Sequence, residues 1–506
     1  MEQREVRSVV IAGGGTAGWM AATALARVLG PRLTITVVES SEIGIVGVGE
    51  ATIPAIAGFN RMIKLDEDDF LRRTQGTFKL GIEFVDWWEK GQAYMHAFGP
   101  VGRDLAYVPF HHYWLKEDGL RDQPGAGSLW DYSFNWLAAK QGRFARVERI
   151  PDTPLAGLAW AFHFDASLYA AYLASLAQKM GVRRVDAKIA DVALHETGDV
   201  RALKLEDGRE IAADFFIDCT GFRGVLIEQA LHTGYEDWSS WLPCDRALAM
   251  PTENVGPPEP YTRATALEAG WQWRIPLQHR TGNGHVFCSG QISDERAREQ
   301  LLANLGGPPL AEPRLIRFMT GRRKLLWNRN VVCMGLASGF LEPLESTSIH
   351  LIQVTIQRLI LLFPHVGDNE ERRREFNRAA IAEYEYIRDF IVLHYHANNR
   401  VGEPFWDHCR SMRIPDSLAH KIELFRESAG IFCAADDLFQ MSSWLQVLWG
   451  QGVRPRGVHP FVEAVAPHDR AGYLRDLRGM LAAAVTRLPT HADFIASRCR
   501  VGDTGS

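Results

Sequence analysis

Residues 6–12, Val-Arg-Ser-Val-Val-Ile-Ala, form an apolar run that ends directly in Gly13-Gly14-Gly15-Thr16-Ala17-Gly18. The run reads as a buried strand, the glycines as a tight turn, and residues 17–29 as a helix. Leu33 to Glu39, Leu-Thr-Ile-Thr-Val-Val-Glu, reads as a second, parallel strand. Parallel strands need a crossover helix that packs back on the sheet, so this βαβ start predicts a doubly wound α/β fold. The glycine spacing is G-x-G-x-x-G. Gly13 permits the turn, Gly15 lets backbone approach a pyrophosphate, and Gly18 allows close helix–strand packing. The helix N-terminus offers amides and the positive end of its dipole to phosphates. Glu39 falls where a carboxylate accepts a ribose hydroxyl. The first forty residues therefore predict a dinucleotide site. FAD and NAD share this fingerprint. Asp218-Cys219-Thr220-Gly221, closing a strand over 211–219, favours FAD. So does the lack of a second G-x-G-x-x-G unit.

Further along, 167–180 reads as a helix, and 183–193 and 200–205 read as strands. Val331 to Met334 is a short apolar strand entering Gly335-Leu336. From Asp368 onward the character is helical, with Phe376, Ala380, Tyr384, Ile387 and Ile391 on one face. The loop-like stretches are 99–105, 251–261 and 305–314. A net charge of −5, with no basic stripe, argues against a nucleic-acid binder. The seven cysteines form no C-x-x-C pair, so neither a disulfide framework nor a metal site is expected. Residues 1–11 carry no signal-peptide pattern, and no apolar run reaches about 18 residues. A cytoplasmic protein is expected.

Three further blocks carry chemistry. Lys79 lies in Thr77-Phe78-Lys79-Leu80-Gly81, and Glu345 in Gly339-Phe340-Leu341-Glu342-Pro343-Leu344-Glu345-Ser346-Thr347. Between them lies Gly270-Trp271-Gln272-Trp273-Arg274-Ile275-Pro276, where the tryptophans share one face of a strand. Alone, Lys79 would be a snorkelling lysine, Glu345 a carboxylate at a helix start, and the tryptophans core packing. A lysine ammonium can donate a hydrogen bond. Its neutral amine, made accessible by burial, can capture an electrophile. A carboxylate can stabilise a cationic intermediate and take its proton.

Together these blocks, with Gly13 to Trp19 and Gly44 to Pro54, resemble the flavin-dependent halogenases of the tryptophan halogenase family over most of residues 5–395. The resemblance implies a box-shaped, Rossmann-like FAD module over 1–95 and 155–365. A mostly helical substrate module is implied over 96–154 and 366–500, with 501–506 frayed. It implies cofactor contacts at Gly13, Gly15, Thr16, Ala17, Gly18, Glu39, Val46, Gly47, Val48, Gly49, Ala51, Gly335 and Leu336. A separate NAD(P)H-dependent reductase would supply FADH2. With oxygen and chloride or bromide, this would give hypohalous acid, relayed by Lys79 to an electron-rich arene, with Glu345 polarising the oxidant and removing the ring proton. Backbone amides of Thr347 and Ser348 would hold halide, although tryptophan-acting members carry glycine at the second position. Ser346 would orient Glu345. His96 and Phe98 match an indole-stacking pair, and Phe439 a second aromatic wall. The stretch Arg426 to Phe432 lacks the tyrosines that anchor tryptophan in the family, which favours an indole-like substrate without a charged tail. A homodimer is compatible with the sequence. The rival readings are a flavin-dependent aromatic hydroxylase, which Lys79 and Trp271-x-Trp273-x-Ile275-Pro276 oppose, and a flavin-binding protein without catalysis.

Overall fold

The structure, a computed structural model, describes residues 4–42, 49–105, 107–119 and 127–500. The opening βαβ unit forms as expected: strand Ser8–Ala12, helix Thr16–Leu29, strand Thr34–Glu39. It nucleates a six-stranded sheet ordered Trp327–Asn328, Val331–Cys333, Phe215–Asp218, Ser8–Ala12, Thr34–Glu39, Arg183–Asp186. All neighbours are parallel except the first pair. Ile11 pairs with Val37 on one side and Ile217 on the other. Val9, Val10, Ile11 and Ala12 are all buried, so this central strand is covered on both faces.

Two expected strands divide. The 183–193 stretch splits into Arg183–Asp186 in this sheet and Ile189–Leu194, which pairs with Val200–Leu205 in a small antiparallel sheet. The 211–219 stretch splits into Glu210–Ala212 and Phe215–Asp218. The helix expected over 167–180 runs Ala166–Lys179. Two expected loops, 251–261 and 305–314, meet through a bridge between Thr252 and Pro309.

A seven-stranded sheet stands beside the first, ordered Arg314–Arg317, Arg246–Thr252, Thr281–Phe287, Gly270–Pro276, Thr262–Leu267, Gly81–Val85, Ala93–Ala97. Thr77–Lys79 instead joins a three-stranded sheet with Ala161–Asp165 and Gly49–Ala51. Beyond residue 366 the chain is helical, led by Glu370–His396, whose five-residue apolar face is buried as expected. Helix Met441–Gly450 is locked onto the last strand by Gln446: its amide accepts from Ala97 N (3.1 Å) and donates to Ala97 O (3.0 Å). That bond fixes the helical layer against the strand carrying His96. One hydrophobic core runs through both layers. No helix among the described residues is long and apolar enough to cross a membrane.

Candidate active site

The nucleotide end is built by the glycine turn. Gly13 has φ +106°, and a Cβ there would lie 2.2 Å from the Cys219 carbonyl oxygen, so only glycine fits. A Cβ on Gly15 would meet nothing within 4 Å, which leaves room for a ligand. A Cβ on Gly18 would lie 1.9 Å from the Gly13 carbonyl oxygen, so Gly18 serves packing and lines neither cavity described below. Gly13, Gly15, Glu39 and Thr220 border a broad cavity of about 1580 Å³. Glu39 is held at its rim by Arg184 Nε (2.5 Å) and Trp19 Nε1 (3.3 Å). Asp218 is fully buried and organises the opposite loop: it accepts from Thr220 N (2.9 Å), Leu226 N (2.8 Å) and Ile227 N (2.8 Å).

A second cavity, about 350 Å³, shares Gly15, Cys219 and Gly221 with the first. The expected cofactor residues Gly15, Thr16, Ala17, Gly49, Ala51, Gly335 and Leu336 all line it. Val46, Gly47 and Val48, and the tail 501–506, lie outside the described residues. Trp273, Pro343, Ser346 and Ser348 complete the wall. A broad cavity sharing its wall with a narrower, more apolar one fits a flavin dinucleotide.

Lys79 lies behind that wall, with none of its surface exposed. Its Nζ donates to Ser346 Oγ at 2.7 Å and sits 5.2 Å from the Phe98 ring centre. The lysine strand is tied down by Thr77, whose hydroxyl donates to the Pro276 carbonyl at 2.7 Å. That uses the hydroxyl's proton, so His163 Nδ1, at 3.0 Å, must be the donor to Thr77. His163 Nε2 then accepts from Thr262 Oγ1 at 2.9 Å. The ring is neutral, and burial together with the Lys79 charge holds its pKa well below the usual range. Burial also brings Lys79 down to about 7, opposed in part by the charge of Glu345. At neutral pH both the ammonium and the amine are accessible.

Glu345 ends the short turn Pro343–Glu345, and Ser346 then takes a left-handed conformation at φ +58°. Such backbone is costly for a non-glycine residue and is retained where the surroundings dictate it. The consequence is that Ser346 turns its hydroxyl to Lys79. Its hydroxyl therefore makes no hydrogen bond to Glu345, whose carboxylate oxygens are approached by two histidines instead. His96 Nδ1 is 2.8 Å from Glu345 Oε2, and His394 Nε2 is 2.9 Å from Oε1. The second contact is a close charge approach rather than an aligned hydrogen bond; neither atom has a hydrogen-bond partner among the described residues. Burial opposes ionisation of Glu345, but the charge and hydrogen bond of His96 and the close approach of His394 outweigh it and pull its pKa to about 2. Glu345 is therefore a carboxylate throughout the neutral range.

One turn earlier, Glu342 accepts from Trp271 Nε1 (2.9 Å) and Tyr395 Oη (2.5 Å), and burial pushes its pKa up to about 7. Trp271 thus pins the glutamate loop while Trp273 faces the cavity, their rings 6.1 Å apart.

The helix that follows, Ser348–Leu361, starts without a side-chain cap, and Thr347 Oγ1 is buried with no hydrogen-bond partner among the described residues. Its uncapped first-turn amides are a ready anion site.

On the far side of Lys79 lies an aromatic shell. His96 is 6.5 Å from Phe98, 5.6 Å from Phe390 and 6.1 Å from Phe439. Phe439 stacks on Phe390 at 3.9 Å. Tyr386 reaches this shell from the long helix, but its hydroxyl is already taken, donating to the Phe439 carbonyl and accepting from Trp444 Nε1. Lys421 is likewise engaged by the Phe432 carbonyl at 2.9 Å. His394 and Tyr395 escaped the sequence reading. His394 follows Ile387 and Ile391 at helical spacing, where core packing is the ordinary reading.

The profile of the tryptophan halogenase family matches residues 8–467. The tryptophan 6-halogenase SttH of Streptomyces toxytricini is 34% identical, over 98% of this chain and 99% of its own length. Among solved structures, Xcc4156, a flavin-dependent halogenase from Xanthomonas campestris, superposes with a TM-score of 0.95 at 47% identity, covering 99% of this chain and 100% of that one. BrvH, a flavin-dependent halogenase from Brevundimonas sp. BAL3, superposes at 0.93 with 46% identity, covering 97% and 99%.

Proposed function

Because the chain belongs to the tryptophan halogenase family, whose relatives are flavin-dependent halogenating enzymes, we propose that it halogenates an electron-rich, indole-like arene through Lys79 and Glu345. The observation that carries this reading is the position of Lys79: fully buried, bonded to a residue of the apolar cavity wall, and facing the aromatic shell.

A bound reduced flavin would supply hypohalous acid from oxygen and chloride or bromide. It would lie along Gly13, Gly15 and Glu39 at its nucleotide end and against Trp273 and Pro343 at its ring end. The first-turn amides at Thr347 and Ser348 would hold halide. Lys79 then receives the oxidant, as an ammonium donating to its oxygen or as an amine taking the halogen. Glu345 stabilises the cationic arene and accepts its proton. A carboxylate with a pKa near 2 is a weak base, but the ring proton of such a cation is strongly acidic, so placement and charge matter more than basicity. Exclusion of water keeps the oxidant from being lost to hydrolysis and side reactions. We further propose that His96, Phe98 and Phe439 form the arene walls.

The decisive test is product mass from an indole and phenol panel, supplied with FADH2 and oxygen, with and without halide. Halide-dependent mass gain is expected. Hydroxylated product without halide would establish a hydroxylase, and no product from any arene would favour a flavin-binding protein without catalysis.

Substrate preference follows from the shell. Stacking on its rings is worth about 0.5–1.5 kcal/mol beyond area burial. Burying a zwitterion's unpaired charges costs several kcal/mol, and Tyr386, the nearby hydroxyl, is already committed. In direct competition, free indole is expected to react faster than tryptophan and at C3, its most nucleophilic carbon. Tryptophan reacting faster on its benzo ring would disprove this; preference for an indole carboxylate would point to Lys421.

One nucleotide fingerprint leads to a further expectation. The purified protein with FAD and NADH should show no NADH oxidation until a separate flavin reductase is added. NADH consumption at the rate of halogenation without a reductase would refute it.

A further inference from the structure

We infer that His394 is a positioning residue that holds Glu345 in its ionised, oriented form and so leaves Lys79 without a full ion-pair partner. The inference rests on the proposed roles of Lys79 and Glu345.

The geometry is specific. His394 is fully buried on helix Glu370–His396, packed against Phe84 at 4.7 Å between ring centres and against Phe390 at 5.4 Å. Its Nδ1 lies 2.8 Å from the Phe390 carbonyl oxygen. A carbonyl can only accept, so Nδ1 must carry a proton. A neutral ring would then present the bare lone pair of Nε2 to Glu345 Oε1 at 2.9 Å. Two acceptors at that distance repel, so the approach is favourable only when Nε2 also carries a proton, here held off the hydrogen-bond axis. Placed on the ring, that proton makes the pair an imidazolium against a carboxylate. The main chain helps: Gln451 Nε2 donates to the His394 carbonyl and fixes this end of the helix.

The charged and titratable groups facing Glu345 are His394 from the long helix, His96 and Tyr94 from strand Ala93–Ala97, and Lys79 from strand Thr77–Lys79; Glu342, one turn back, is bonded to Trp271 and Tyr395 instead. A buried carboxylate flanked by one lysine would form an ion pair with it and hold it protonated. The imidazolium competes for the same negative charge. It shares the charge of Glu345 with His96 and leaves Lys79 bonded to a neutral hydroxyl. An amine freed in this way can act on an electrophile, whereas a fully paired ammonium cannot.

The test uses His394→Gln, whose amide can still donate to Glu345 but carries no charge, and His394→Ala. Four quantities are read: halogenation of indole in single turnover, reoxidation of reduced flavin, the pH–rate profile, and the double variant with Glu345→Gln. Both single variants are expected to halogenate about 10²-fold more slowly, with arene KM within threefold and flavin reoxidation unchanged. The limb of the profile that reports Lys79 should move up by about one pH unit, because an uncompensated Glu345 favours the ammonium. Adding His394→Gln to Glu345→Gln should cost nothing further. Full activity of His394→Gln with an unmoved profile would overturn the inference, as would an additive loss in the double variant. Failure of both variants to fold or bind FAD would assign His394 a structural role instead. If the unaltered protein halogenates no arene, the functional proposal itself fails; if it does and these variants match it, only the role of His394 falls.

Discussion

Lys79→Ala is expected to abolish arene halogenation, by at least about 10³-fold, while oxidation of reduced flavin proceeds within twofold of the unaltered rate. The lysine lies outside the chamber assigned to the flavin and reaches it through Ser346, so oxygen chemistry should not depend on it. Monitoring flavin absorbance and product mass in one reaction checks both halves. Retained halogenation by a folded Lys79→Ala protein would remove the lysine from the mechanism. The same side chain has a stability signature. Its pKa falls from 10.5 in the unfolded chain to about 7 in the fold. Between those values the unfolded chain binds more protons, so stability rises with pH, by about 1.4 kcal/mol for each pH unit. Below about 7 the cost of burying the amine no longer changes with pH. Lys79→Met should therefore melt higher than the unaltered protein at neutral pH, with the advantage disappearing as pH approaches 10.5. Thermal unfolding across pH reads this directly; a Lys79→Met protein that melts lower at pH 7 would contradict it. Functional groups held against their solvation preference often trade stability in this manner.

Glu345→Gln is expected to slow halogenation about 10²- to 10³-fold without abolishing it. The amide keeps shape and some polarity but cannot take the ring proton or compensate a cationic ring. Flavin reoxidation should again be untouched. The substitution also leaves His96 and His394 facing a neutral group. The glutamate's contribution to stability comes from a folded pKa of about 2 against an ordinary 4.5. That contribution is complete above 4.5 and is lost as pH falls toward 2. The stability gap between the two proteins should therefore be widest above pH 5 and close on acidification, as measured by denaturant unfolding. A gap that widens in acid would mean the carboxylate is not held ionised.

How much of this was legible beforehand varies with the range of the interaction. The βαβ start could be read because it is local: strand, glycine turn, helix and strand follow one another within forty residues. The buried stripe from Phe376 to Ile391 was readable for the same reason. Lys79 and Glu345 stood out because their neighbours form compact motifs. The seven-stranded sheet did not, since Gly81–Val85 pairs in parallel with Thr262–Leu267, far along the chain. No local pattern encodes that partner. The left-handed Ser346 carries no glycine to announce it. His394 looks like any residue on an apolar helix face until the fold brings Glu345 against it.

The small strand Thr77–Lys79 separates two environments. Thr77 is tied to the Pro276 carbonyl of the seven-stranded sheet, and Lys79 lies against Phe98, whose ring neighbours His96. On the proposed mechanism, what crosses this boundary would be no larger than a triatomic acid. Such a partition makes the two halves separable under selection: the aromatic side can be resized for new arenes without retuning the redox side. If the proposed relay holds, regioselectivity and oxidant supply would be independent engineering variables, joined at one amine.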